Sequence, residues 1–317
     1  MENITDKIQA NHPLASLTTF KIGGSAEYFF ELTNKEDVSE IFAWAKDKKL
    51  NITILGGGSN VLINDQGVKG LVVLMKNEKI KVSGKRLEVE AGVTLNNALS
   101  LALSNNLSGL EWSKGIPRAT IGGAIRGNAE AFVNSMSDIV ETVLVYDRSK
   151  NIFENYSNKM CDFSYRQSIF KKNLDLLIWS AVFKMTEKEK KEIEEKAINS
   201  LNFRIEKYPQ LPSAGSVFMN LDPKIVEKSN KKLYDEILCH KIGRLGTISV
   251  GLVIDMLGLK GKTIGGAKIS LEHANFIVNT GNATADDVAQ LISLIKTTAR
   301  DKFGIALHEE IQYIGFI

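Results

Sequence analysis

The sequence predicts an α+β protein of mixed α/β content in more than one domain, and three observations predict it. Strand-like and helix-like periodicities alternate through residue 105. Strand signals resume between 139 and 185, and a charged helical block closed by Tyr208-Pro209 and Pro212 marks a domain boundary near 186–212. A length of 317 residues suits about two domains at the usual ~150 residues each.

The elements follow in order. "AEYFFEL" (26–32) reads as a strand, "KEDVSEIFAWAKDKK" (35–49) as an amphipathic helix, and "NITIL" (51–55) as a second strand, a β-α-β unit that exits into Gly56-Gly57-Gly58. Strand-like runs at 68–75, 79–83 and 86–91 precede a short helix at 95–105. The block 109–132 holds five glycines and almost no periodicity, so it is expected to be loop or glycine-kinked backbone. Strands resume at 139–147, 151–156 and 176–185. The next helix carries Ile193, Ala197, Leu201 and Ile205 at the spacing of one apolar stripe. Beyond 212 the expectation is a strand at 216–220, helices at 223–239 and 249–257, a strand at 275–279, a helix from 285 to 302 opened by a capping-box variant at Thr284, and a final strand.

Composition excludes several function classes. The net charge of +3 is mild and the lysines are spread along the chain, so no nucleic-acid footprint is indicated. No apolar run approaches the ~18 residues of a membrane span, and the polar start is not a signal peptide. Cys161 and Cys239 lack CxxC spacing, and with four scattered histidines they suggest neither a disulfide framework nor a metal site; a reducing cytoplasm is the simplest home.

Besides the glycine-rich block 109–132, itself a candidate for ligand contact, four stretches are candidates for chemistry. "ILGGGSNVLI" (54–63) puts bare backbone after a strand, which suits either a phosphate cradle or a tight structural turn. It is neither a Rossmann nor a Walker A loop, because no helix starts and no Lys-Ser/Thr pair follows. In "DFSYRQSIF", Arg166 sits among apolar neighbours, where a guanidinium calls for an anion, either a structural carboxylate or a substrate one. Ser216 in "PSAGSVFMN" follows a glycine but lacks the order of an acyl-transfer triad, so a plain turn serine is its other reading. In "LHEEIQYIG" the alternation places Glu310 and Gln312 on one strand face and Glu309 and Ile311 on the other; one glutamate points inward or both are solvated.

Together these signals resemble one family, the UDP-N-acetylenolpyruvoylglucosamine reductases. The matching stretches, in the family's order, are "LTTFKIGGSAEYFF", "ITILGGGSNVLI", "GLEWSKGIPRATIGGAI", "CDFSYRQSIF", "PSAGSVFMN", "GLKGKTIGGAKIS", "EHANFIVNTGNATADDV" and "FGIALHEEIQYIG", and they span almost the whole chain. The short step from "FSYRQSIF" to "SAGSVF" resembles the family's short form, without the extra tyrosine-bearing loop.

The resemblance implies an FAD-binding part of the vanillyl-alcohol-oxidase (PCMH) type. Its two subdomains fall at 1–70, with a C-terminal strand within 303–317 returning to the first, and at 71–190; a smaller α+β substrate domain follows at 200–302. It implies reduction of UDP-N-acetylglucosamine enolpyruvate to UDP-N-acetylmuramate in peptidoglycan precursor synthesis, with NADPH as hydride source and FAD as relay. Hydride goes to C3, and a proton goes from Ser216 to C2. Arg166 and Glu310 match the residues that steady charge on the substrate carboxylate, where an ionised group is a poor electron sink without fixed donors. FAD contacts are implied for Ile54, Leu55, Gly56, Gly57, Gly58, Ser59, Asn60, Val61 and Leu62, and for Gly115, Ile116, Pro117, Thr120, Gly122, Gly123 and Asn128. Substrate contacts are implied for Tyr165, Lys207 and Asn220, and a cytoplasmic monomer without nucleic-acid partner or membrane insertion is expected.

The chain departs from the family pattern in four places. Arg118 stands where "GIPG" has its second glycine, Glu130 and Val133 replace glycines of "NAGAYG", Met219 replaces a frequent lysine, and "PEVR" is here Glu309-Glu310-Ile311-Gln312. Two other readings remain at the level of sequence: an FAD-dependent oxidoreductase of the same scaffold with another substrate, and a nucleotide-sugar-binding protein that has lost its flavin.

Overall fold

The run Val68–Met75 is apolar at nearly every position because it is a central strand with parallel partners on both sides, Ser25–Leu32 and Ile52–Leu55. With Gln9–Pro13 at one edge these make a four-stranded sheet, and the amphipathic helix Asp37–Asp47 buries Val38, Ile41, Phe42 and Ala45 in the same core cluster as Phe30, Leu71 and Val73. The computed structural model describes residues 3–238 and 246–316. By contact the chain divides into two units. The first is Met1–His12, Ala26–Gly58 and Val68–Arg204; the second is Pro13–Ser25, Ser59–Gly67 and Ile205–Ile317.

The first unit adds an antiparallel five-stranded sheet in the order Ile152–Ser157, Val140–Asp147, Leu176–Lys184, Arg86–Glu90, Ile80–Ser83. The helix Leu95–Ser104, opened by the Thr94 hydroxyl accepting from Asn97 N at 3.2 Å, packs Leu95, Ala98, Leu99 and Ala102 into the core. The glycine-rich block 109–132 is not all loop: Ile121–Arg126 forms a short helix despite Gly122 and Gly123, because Ile121 and Ile125 are fully buried. The charged helix Lys190–Lys207 buries Ile193, Ala197, Ser200 and Arg204, so its inward stripe is rotated from the predicted one and Ile205 is 58% exposed. Arg204 takes the inward place because its guanidinium donates to the carbonyls of Trp112, Lys114 and Ser200 at 2.9, 3.0 and 3.1 Å.

The second unit has a three-stranded antiparallel sheet, Thr263–Ile264, Ala267–Ile269 and Ile277–Asn279, and a parallel pair, Val61–Ile63 with Gln312–Ile314. The long helix Ala285–Phe303 carries the predicted capping box, Thr284 and Asp287 each accepting from the other's backbone N–H at 3.0 Å. The predicted helix 223–239 is two helices, Pro223–Ser229 and Lys231–Leu238, because Asn230 leaves helical geometry and caps the second through Leu233 N at 2.9 Å. Cys239, the predicted last residue of that helix, lies outside the described residues. The expected strand 216–220 is two isolated bridges, Ser216 with Phe276 and Phe218 with Glu309. No helix among the described residues is long and apolar enough to cross a membrane.

Candidate active site

In the first unit, the glycine loop lies against the loop that precedes the Ile121–Arg126 helix. A Cβ on Gly56 would stand 2.5 Å from Thr120 Oγ1, and one on Gly57 would stand 1.6 Å from the Arg118 carbonyl oxygen, so two backbones meet here with no room for side chains. Arg118 Nε donates to Gly57 O at 3.1 Å and ties the loops together. Arg118 has φ 56°, the left-handed conformation that glycine adopts without steric cost; the arginine at this point is tolerated because its side chain spans to the facing loop. Val133 has the same character at φ 70°, where the family pattern has glycine, and its side chain is exposed.

Thr120 tests whether this cradle suits FAD. It stands at the start of the short helix, is 6% exposed and makes no side-chain cap; its Oγ1 is buried without a hydrogen-bond partner among the described residues. A buried hydroxyl is costly when unmatched. A donor of this kind, beside two glycines that leave backbone bare, suits the diphosphate of a dinucleotide. Of the other expected contacts, Gly122 packs on Ala91 with a hypothetical Cβ at 2.9 Å, Gly115 has φ 87° against Leu201, and Ile54 is exposed. Leu55 is buried. In the second unit Leu62 is fully buried in the core and Asn60 is engaged by the C-terminal segment.

Arg166 occupies a tight turn in the first unit. Ser164 and Gln167 exchange backbone hydrogen bonds at 3.1 and 3.0 Å around Tyr165 and Arg166, and Arg166 takes φ 55°. A left-handed conformation at a non-glycine residue costs about 1–2 kcal/mol, a sign that the side chain rather than the turn selects arginine here. Glu130 lies within electrostatic reach: burial raises its carboxyl above the usual range, Arg166 pulls it back down, and Asp138 adds to the rise. Burial alone lowers the Arg126 guanidinium.

Ser216 and Glu310 are neighbours in the second unit. Glu310 N donates to Val217 O at 2.7 Å and Met219 N to His308 O at 2.9 Å, so the serine segment lies beside the glutamate segment. On its other side Val217 N donates to Asn275 O at 2.8 Å, and the buried Asn275 amide both donates to and accepts from Phe218 at 2.9 and 3.0 Å. The two glutamates separate: Glu309 accepts from Lys296 Nζ at 2.8 Å, while Asn60 Nδ2 holds the Glu310 carbonyl at 3.2 Å. Asn220 joins the unit by accepting from Val250 N at 3.2 Å, and Lys207 is exposed at the end of its helix.

Sequence reasoning did not single out Lys260 and His273. They line a cavity of about 190 Å³ with Ser249, Gly251, Asp255 and Glu272. His273 packs between Tyr208 and Phe276, and burial, then Lys260, lower its pKa, so it is neutral at pH 7. Their only signal was position inside two of the matched blocks. Among the described residues no group of three or more His, Cys, Asp or Glu could hold a metal ion.

A family model described as FAD binding domain matches residues 26–152, the span that contains the cradle, and the chain is an FAD-dependent oxidoreductase. A second, described as the C-terminal domain of UDP-N-acetylenolpyruvoylglucosamine reductase, matches residues 206–314. The reductase of Caldanaerobacter subterraneus subsp. tengcongensis is 35% identical over 98% of this chain and 94% of its own, and that of Lactobacillus helveticus is 35% identical over 99% and 95%. The crystal structure of the Thermus caldophilus reductase superposes with a TM-score of 0.76 at 29% identity, covering 97% of this chain and 98% of that one. The chain belongs to the UDP-N-acetylenolpyruvoylglucosamine reductase family, whose FAD-dependent reduction of the enolpyruvyl ether of UDP-N-acetylglucosamine serves peptidoglycan synthesis.

Proposed function

We propose that the chain reduces the enolpyruvyl ether with NADPH as hydride source, acting as a cytoplasmic monomer, and that Arg166, Ser216 and Glu310 are its catalytic residues. The FAD-binding part is divided at 1–70 and 71–190, with 303–317 joined to the first, and the substrate domain is 200–302. FAD, when bound, relays hydride from NADPH to C3 of the enolpyruvyl group. Gly56, Gly57 and Thr120 would hold its diphosphate, with the other residues of 54–62 and with Gly115, Ile116, Pro117, Gly122 and Gly123 beside it.

Arg166 steadies the charge that develops at C2 and on the adjoining carboxylate, where fixed positive charge in a site shielded from water lowers the barrier most. Its strained turn supports that role. Ser216 Oγ gives its proton to C2; a hydroxyl is a weak acid, but it donates as the enolate develops, so placement matters more than ground-state pKa. Glu310 assists at the carboxylate, a role supported by the pairing of Glu309 with Lys296, which engages the neighbouring glutamate elsewhere. Tyr165, Lys207 and Asn220 contact the nucleotide sugar. Lys260 and His273 offer further donors to its diphosphate in the second unit.

The observation that supports the reading is the backbone bond from Glu310 N to Val217 O at 2.7 Å, which joins the segment of the proposed proton donor to that of the proposed carboxylate partner. The test is NADPH oxidation with and without UDP-N-acetylenolpyruvoylglucosamine, followed by Ser216→Ala in the two half-reactions. Flavin reduction by NADPH is expected to persist in Ser216→Ala while substrate-driven reoxidation slows by about 10²–10⁴-fold, the usual share of general acid catalysis. NADPH oxidation indifferent to substrate contradicts the reaction. Equal loss in both halves contradicts the serine's role.

A further inference from the structure

We infer that Asn128 is a positioning residue for Arg166, holding the turn that carries the arginine rather than contacting the cofactor. The inference rests on the catalytic role proposed for Arg166. Both ends of the Asn128 amide are engaged within the first unit: Nδ2 donates to Ser164 O at 3.0 Å, and Oδ1 accepts from Ser137 N at 3.0 Å. The residue is 4% exposed, so these bonds do not compete with bulk water.

Ser164 is the first residue of the two-bond turn whose corner is Tyr165-Arg166, and Asn128 therefore grips the turn at its entrance. The exit is gripped from the same chain segment, because the fully buried Ser168 donates its hydroxyl to Arg126 O at 2.7 Å. Lys171 Nζ adds a bond to the Arg166 carbonyl at 3.1 Å. A left-handed arginine persists only where its surroundings over-determine it, and the segment from Arg126 to Asn128 supplies two of these three restraints. Asn128 itself has φ 40°, which asparagine and glycine tolerate and most residues do not.

The test is a double-mutant cycle on the holoenzyme. Asn128→Gly keeps the backbone conformation available and removes both side-chain bonds. Asn128→Asp keeps the acceptor for Ser137 N and sets an oxygen against Ser164 O. Both are expected to slow substrate-driven flavin reoxidation by about 100-fold, the cost of a displacement of roughly 1 Å at a catalytic group. Both are also expected to weaken calorimetric binding of the product UDP-N-acetylmuramate by about tenfold while FAD content is kept.

In an Arg166→Ala background Asn128→Gly should add less than about threefold to either loss, because a positioning residue has nothing left to position. Losses that multiply independently, rates in both Asn128 variants within twofold of the parent, or a fall in FAD content that accounts for the whole effect overturn the inference. If Arg166→Ala itself leaves reoxidation unchanged, the arginine's proposed role fails and the inference falls with it. A slow Arg166→Ala with normal Asn128 variants overturns the inference alone.

Discussion

Gly57 shows what single residues decide in this chain. The Arg118 carbonyl oxygen occupies the place of a side chain at 57, at 1.6 Å from a hypothetical Cβ, so even a methyl group forces one backbone away from the other. Gly57→Ala should displace the loop that presents Thr120 and cost the proposed FAD cradle its shape. The expected result is protein that purifies without yellow colour and regains less than about a tenth of its flavin on adding FAD; alanine-bearing protein with full flavin content refutes the cradle. Arg118 next door makes the complementary point, since its left-handed backbone explains why glycine is usual there and its bond to Gly57 O explains how arginine is accommodated.

At the scale of elements, the loop Glu272–Asn275 carries a buried titratable ring. His273 is held neutral by burial and by Lys260, and its Nδ1 accepts from Asn275 N at 3.2 Å, a bond that protonation abolishes. Its folded pKa lies below the ordinary 6.5, so the unfolded chain binds the proton first as pH falls. Stability should therefore be flat in this residue's contribution above pH 6.5 and decline below it. His273→Gln should flatten that decline, read from urea midpoints at pH 7 and pH 5.5 for both proteins; equal slopes in parent and variant contradict it.

Elements of strong periodicity were legible from sequence: the strand Val68–Met75 and the helices Asp37–Asp47 and Ala285–Phe303 lie within two residues of expectation. The Ile121–Arg126 helix was not, since two glycines argue against it and only the burial of Ile121 and Ile125, a tertiary fact, overrides them. For the same reason the stripe expected to run through Leu201 and Ile205 runs instead through Ser200 and Arg204, because no local pattern announces the carbonyls to which Arg204 donates. At the site, the glycine loop and Arg166 stood out by composition, whereas the bonds of Asn128 and Asn60 depend on which distant carbonyl each amide meets.

For the whole molecule, the consequential feature is that the second unit is not continuous in sequence. Besides Ile205–Ile317 it contains Pro13–Ser25 and Ser59–Gly67, so the chain crosses between units at 12/13, 25/26, 58/59, 67/68 and 204/205. The two early segments are structural parts of its core: Phe20, Ile22 and Leu62 are 1%, 3% and 0% exposed in the cluster that holds Val253, Ile277 and Leu291. They also supply the strand Val61–Ile63 that pairs with Gln312–Ile314, the Phe20 carbonyl that accepts from Asn279 Nδ2 at 3.1 Å, and the Asp65 carboxylate that accepts from Ala285 N at 2.7 Å. The family model spanning 206–314 therefore outlines a homologous stretch that omits part of this core. Burying one such side chain contributes about 1.5–3 kcal/mol, and losing three removes roughly 5–9 kcal/mol from a unit whose stability is on the order of 5–15 kcal/mol. The orphaned C-terminal strand adds to the loss. A fragment of residues 205–317 should accordingly be unfolded or molten, with collapsed amide dispersion in a ¹H–¹⁵N spectrum and strong dye binding to exposed apolar surface. A well-dispersed spectrum from that fragment would show that the early segments decorate the core instead of completing it.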